Sequence, residues 1–165
     1  MNLSLYYVIV YSYLMDNNTI VTNRKALRDY FILETFEAGI ELKGSEIKSI
    51  RERRANLKES FAKVEKGEIF LYNLHINPYE FARREEIDPT RPRKLLLRKR
   101  EIHSLAGKVG EKGLALIPLE IYLKKSFAKV KLALAKGKKF YDKREALKTK
   151  EARREIERSF RKKRG

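Results

Sequence analysis

The side chains of this sequence best equipped for chemistry are Phe140 and Tyr141, which stand inside its densest positive charge. The stretch KGKKFYDKRE, residues 136–145, holds five basic side chains around that pair and one acid, Asp142, directly after it. Lysine and arginine neutralise phosphates, and aromatic rings stack on unpaired bases for about 1–3 kcal/mol each. A segment carrying both is suited to entering a phosphate-lined site and fixing its position there. The plainer alternative is a basic run that only solvates the chain, with its rings tucked back on the folded domain. Catalysis is poorly supplied by comparison. His75 and His103 fall in separate segments, and no nucleophile elbow, phosphate-cradling glycine loop or metal-ligand spacing accompanies either. A ribonuclease could use His75 with a lysine or tyrosine as acid and base, but no spacing supports it. No catalytic residue, metal or cofactor is therefore expected.

The elements that position these groups belong to one domain, since 165 residues suffice for one and not comfortably for two. Apolar residues make up 42% of the chain, enough for a core, while the formal net charge is +17. A field of that sign attracts polyanions, nucleic acid first and an anionic membrane surface second. The absence of cysteine excludes disulfides and fits a reducing cytoplasm. No apolar run approaches the ~20 residues that span a bilayer. Residues 3–14, LSLYYVIVYSYL, lack the basic flank and small-residue cleavage site of a secretory signal. They are expected to reflect an upstream start, with Met15 the natural one; the alternative is an added strand or a sticky anchor.

From residue 23 to about 136 the signals are those of a compact domain, with residues 1–22 as an extension of uncertain status and 137–165 as a tail. DYFILETFEAGIEL reads as extended, with a bend or bulge expected at Ala38-Gly39. GSEIKSIRER predicts a short helix with Ser45 as N-cap, Glu46 in the first turn, and Ile47 and Ile50 on one face. SFAKVEKGEIFLYNLHI predicts a hairpin turning at Lys66-Gly67. FARREEIDPTRPRK, with two prolines and many charges, predicts a mobile surface loop. KLLLRKREIHSLAGKV gives helical spacing through Leu95, Ile102, Leu105 and Val109. Two strands close the domain; in the second, Ala128, Val130, Leu132 and Leu134 face one way and Lys129 and Lys131 the other. Short strands without a βαβ repeat favour a mainly β fold, an antiparallel barrel with flanking helices.

The tail has thirteen basic side chains against five acidic ones, eight of the seventeen net charges. Leu147, Ile156 and Phe160 are too few for a core-facing stripe, so the free tail should be disordered. Its composition favours helix once a polyanion neutralises it.

Six motifs in order carry a resemblance: NRKA (23–26), DYFILETFEAG (29–39), GSEIKSIR (44–51), ANLKESF (55–61), DPTRPRKLLLRKREI (88–102) and AKGKKFYDKRE (135–145). Together they resemble the SmpB, or SsrA-binding protein, family. The resemblance implies an OB-fold-like barrel that binds the tRNA-like domain of transfer-messenger RNA (tmRNA, SsrA RNA). It implies a non-catalytic adaptor that brings the alanylated RNA, with EF-Tu, to ribosomes stalled on truncated messages for trans-translation. The tail would probe the empty mRNA channel near the decoding centre of the small-subunit rRNA. Positions matching the family's RNA-facing ones are Glu37, Leu96 and Lys129, with Asn23 and Arg24 of the first motif. Lys129 suits a phosphate, Leu96 an exposed base or sugar, and Glu37 a base amino group or 2′-hydroxyl. Each has a plain alternative: a wet-face lysine, a core leucine, a solvated strand acid. In the tail, Gly137, Lys138, Lys139, Tyr141, Asp142, Lys143 and Arg144 match the ribosome-directed pattern, with Tyr141 placed to stack on rRNA. Departures are Arg53, where the family usually has glycine, LKKSF without a glycine turn, and Ile87 before Asp88. The protein is expected to be cytoplasmic and monomeric, without a membrane partner. The alternative is a ribosomal or ribosome-assembly protein that binds rRNA through the same barrel and tail.

Overall fold

The computed structural model describes residues 18–81, 88–110 and 113–139. In chain order these form β1 (Thr19–Thr22), α1 (Arg24–Asp29), β2 (Tyr30–Ile40), α2 (Gly44–Arg51), β3 (Ala55–Asn56), β4 (Phe61–Glu65) and β5 (Glu68–Tyr72). There follow β6 (His75–Ile76), β7 (Arg93–Leu96), α3 (Lys99–Val109), β8 (Leu114–Lys124) and β9 (Phe127–Gly137). The main sheet runs β1-β8-β4-β5-β7-β2-β9, and a further β8–β9 pairing closes six antiparallel strands into a ring. β1 lies outside that ring against β8, so residues 19–22 join the sheet ahead of the expected boundary at 23. β3 and β6 form a separate two-stranded ribbon. The mainly β antiparallel barrel with flanking helices expected from the sequence is therefore present.

Closure follows from alternation. Inward-facing Ala38, Ile69, Leu71, Leu95, Leu116, Ile121, Val130 and Leu132 meet in one core, with Ile50 of α2 and Leu105 of α3 plugging it. A smaller cluster sits on the outer side, where Ala26 of α1 covers Ile117, Leu119, Ala133 and Ala135. That explains why β9 loses its polar face after Lys131: its outward positions there are roofed by α1.

Tight turns fix the registers. Lys66 and Gly67 both take positive φ (49° and 75°), the type I′ geometry whose twist matches the flanking strands. The β8–β9 turn does the same work without glycine by placing Lys125 at φ 57°. At the end of α2, the N–H of Arg53 donates to Ile50 O and that of Arg54 to Ser49 O (2.8 and 2.9 Å), a Schellman ending. Arg53 occupies its left-handed position at φ 59°, where glycine would be unstrained.

Several sequence expectations need correction. Leu95 belongs to β7, not to a helix; α3 begins at Lys99, because Leu95 and Leu96 pair with β2 and β7 also pairs with β5. The irregularity in β2 falls between Ile32 and Glu34 rather than at Ala38-Gly39. The N-cap of α2 is Lys43, with Ser45 already inside the helix. The returning strand of the β4–β5 hairpin stops at Tyr72, where Asn73 takes φ 57°. The charged loop is anchored at its end, since Arg93 is 1% exposed. Helix α1 was not expected at all. The 3–14 segment, Ile87, and the tail from residue 140, including Tyr141, Asp142, Lys143 and Arg144, lie outside the described residues.

Candidate nucleic-acid interface

Four strands bring the barrel's exposed face together. Cross-strand pairing aligns Leu96 of β7 with Gly39 of β2, Gly39 with Lys129 of β9, and Lys129 with Tyr122 of β8. Residues in register project from the same face. Leu96, 53% exposed, lies beside the bare backbone of Gly39; a β-carbon there would come within 3.1 Å of Leu96 Cβ. The lack of a side chain at 39 thus leaves an open apolar ledge next to Lys129.

Glu37 stands two residues back along β2, facing the same way. Its carboxylate accepts the Tyr122 hydroxyl at 2.6 Å and Lys124 Nζ at 3.0 Å. The Tyr122 bond chiefly, then Lys124, holds the Glu37 carboxyl below the usual carboxylate range. On the far side Lys131 pairs with Glu120 at 3.3 Å, and Thr19 Oγ1 also donates to Glu120. Of the three lysines in this patch, Lys124 and Lys131 are thus committed to acids. Lys129, between them, has no ion-pair partner among the described residues. Its charge, which also helps hold the Glu37 carboxyl low, is left outside an ion pair and open to an incoming phosphate.

The structure therefore gathers Glu37, Leu96 and Lys129 on one face and separates them from Asn23. Asn23 is buried: its Oδ1 caps α1 through the Ala26 N–H (3.1 Å), and its Nδ2 donates to Pro118 O and Leu57 O. With donors and acceptor all engaged inside, the Asn23 side chain holds α1, β8 and the 57–60 turn together. Arg24, at the first position of α1, is exposed and has no partner among the described residues. Gly137 ends β9 opposite Tyr30, and Lys138 Nζ sits 5.2 Å from the Phe31 ring centroid. Lys139 follows on the exposed surface, just beyond the end of β9. His75 and His103 lie on β6 and α3, both exposed.

Sequence reasoning missed Tyr122, Gly39 and Lys124. A two-residue turn at Lys125-Ser126 pairs 124 with 127, which forces 122 opposite 129 and 120 opposite 131. Counting back from that turn would have found the first and third.

A closed barrel with an unpaired cation beside an exposed apolar ledge defines a small β-barrel nucleic-acid-binding protein. The profile of the SmpB protein family matches residues 20–162. An SsrA-binding protein of Geobacillus thermodenitrificans is 61% identical over 146 residues, covering 88% of this chain and 94% of the relative. The SsrA-binding protein of Bacillus subtilis is 61% identical over 139 residues, covering 84% and 89%. A solved chain from structural work on tmRNA-SmpB and the bacterial ribosome is 53% identical with a TM-score of 0.61, covering 71% of this chain and 82% of that one. The chain belongs to the SmpB family.

Proposed function

We infer that this chain binds tmRNA through the barrel face and serves trans-translation on the ribosome, as the names of its relatives indicate for them. The observation that carries the residue-level reading is the solitary Lys129 beside the Leu96–Gly39 ledge, flanked by lysines already paired with acids. Lys129 contacts a phosphate of the tRNA-like domain, Leu96 packs on a base or sugar, and Glu37, oriented by Tyr122 and Lys124, accepts from a base amino group or a 2′-hydroxyl. Arg24 supplies a further phosphate contact from α1. The basic tail, from Gly137 through Lys138, Lys139, Tyr141, Asp142, Lys143 and Arg144, enters the empty mRNA channel, where Tyr141 stacks on rRNA near the decoding centre. The protein works as a cytoplasmic monomer and a non-enzymatic adaptor, meeting EF-Tu only through the alanylated RNA.

The test is binding to the isolated tRNA-like domain beside an ordinary tRNA over a salt series, with the full chain and with one ending at Lys139. Discrimination that survives high salt and tail removal supports recognition by the barrel. Equal binding of both RNAs, collapsing with salt as counterion release dictates, refutes it. For the tail, Tyr141→Ala should weaken tagging on stalled ribosomes and leave tmRNA affinity unchanged; a large loss of tmRNA affinity would assign Tyr141 to the wrong RNA.

A further inference from the structure

Phe127 opens β9 at the tip of the β8–β9 hairpin and is 70% exposed. Strand alternation puts it on the same outward side as Lys129, two residues and about 7 Å further along. Its ring has no ring or cation contact among the described residues. Lys125 stands exposed in the turn beside it, and Lys124, directly opposite in register, is paired with Glu37. Arg51 of α2 donates to Ser126 O at 3.2 Å and ties the hairpin tip to the helix end. A large flat apolar ring held in water, braced from behind and flanked by the cations of Lys125 and Arg51, is the arrangement that single-stranded nucleic-acid sites use. A hydrophobic protein partner would be repelled by no single group here. Yet the exposed Lys125 and Arg51 match a polyanion, and the ring shares the outward face of the Leu96–Gly39–Lys129–Tyr122 row, offset from it along β9.

We propose that Phe127 is a stacking site for an unpaired nucleobase of the RNA whose backbone Lys129 holds. This extends the barrel face by one base beyond the row, and it rests on the RNA-binding reading above. Lys125 and Arg51 supply the positive field that draws the neighbouring phosphates, while the ring itself reads no sequence, because every base has a face to stack.

The experiment uses the full chain and the isolated tRNA-like domain of tmRNA, with ordinary tRNA as comparison. Phe127→Ala should raise Kd by about 5- to 150-fold, the range base–aromatic stacking supplies. The slope of log K against log salt should not change, because no phosphate contact is lost. Phe127→Trp should retain affinity. Since the chain contains no tryptophan, the introduced indole is the sole one, and its emission should be quenched on saturation with the RNA. Melting of both variants by far-UV circular dichroism should match the parent, as expected for a side chain so exposed. A Kd for Phe127→Ala within twofold of the parent overturns the proposal, as does a loss of affinity without quenching in Phe127→Trp. Failure of the parent chain to distinguish the two RNAs is a different result, and it would refute the adaptor reading itself.

Discussion

Replacing Glu46 by alanine should cost this barrel a large part of its stability. Glu46 sits in the first turn of α2 with only 8% of its side chain exposed, and it meets two arginines from the 88–93 segment. One oxygen accepts the Lys43 N–H at 2.7 Å; the other accepts Arg91 Nε and Arg93 Nε at 2.9 Å each. Arg93 is itself 1% exposed and spends its remaining donors on the carbonyls of Leu74, Pro89 and Arg91. Removing the carboxylate leaves a buried guanidinium without its counter-charge, a change that costs about 3–5 kcal/mol. That is at least about a fifth of the roughly 5–15 kcal/mol holding an ordinary domain together. At about 4 °C per kcal/mol for a domain of this size, Tm should fall by about 12–20 °C. Burial alone would push the Glu46 carboxyl upward, but the Arg91 hydrogen bond, the Lys43 N–H and the charge of Arg93 outweigh it and hold it low. A depressed carboxylate contributes stability that is present above its unfolded pKa and is lost as pH falls through its folded one. The gap between parent and Glu46→Ala should therefore narrow as pH falls below the ordinary carboxylate range. Urea and thermal unfolding followed by far-UV circular dichroism measure both effects. The double replacement Glu46→Leu with Arg93→Met removes both buried charges and should recover only the part of the loss due to the unpaired guanidinium, since the carbonyls of Leu74, Pro89 and Arg91 lose their donor. A loss below about 1 kcal/mol would refute the reasoning, because it would equate this cluster with an exposed pair.

Asn23→Ala should destabilise by about 1–3 kcal/mol, combining a lost helix cap with the loss of the buried bond to Pro118 O, while Leu57 O keeps the Ser60 N–H. RNA affinity measured well below its melting temperature should stay unchanged; a selective loss of affinity would restore Asn23 to the interface. Lys129→Ala should lower the salt slope of tmRNA binding by about one and weaken binding several-fold, whereas Lys131→Ala, whose charge is already paired with Glu120, should do less. Equal effects at the two positions would count against Lys129 as the available cation. Gly39→Val places a branched side chain where even one carbon lies 3.1 Å from Leu96 Cβ, so it should displace Leu96 and match the affinity loss of Leu96→Ala. Affinity near that of the parent would show that the ledge is not used.

The strands and the outward lysines were legible because period-two alternation survives in single sequence: Val130, Leu132 and Leu134 inward, Lys129 and Lys131 outward. Leu95 misled because Leu95, Ile102, Leu105 and Val109 also satisfy a helical spacing. Nothing local to KLLL says that its leucines pair with β2, a partner some 55 residues earlier. The six residues of α1 are too few for a periodic signal, and Asn23 fixes its start only by reaching Leu57 and Pro118. The buried arginine was hidden for a related reason. A segment as charged as DPTRPRK reads as solvated until its counter-charge, Glu46, is seen to arrive from a helix more than forty residues away. The face itself was half legible: Glu37, Leu96 and Lys129 came from the resemblance, whereas Tyr122 and Gly39 required the register.

The acids on that face bear on how a chain of net charge +17 could select one RNA among many. A uniformly basic sheet would hold any phosphate backbone, and its grip would fade steeply with salt. Here Glu37 and Glu120 cancel Lys124 and Lys131, so the row around Lys129 carries about one uncompensated charge beside Leu96 and Tyr122. Binding through it should depend little on salt and much on whether a base or sugar edge fits the ledge. The tail, with eight net charges, should have the opposite character: strong, unselective and salt-sensitive binding. The two parts would then divide the work, the tail supplying attraction to any RNA surface and the barrel supplying the difference between one RNA and another. Raising the salt should strip away the first contribution before the second, and the preference for the tRNA-like domain over ordinary tRNA should widen as total affinity falls.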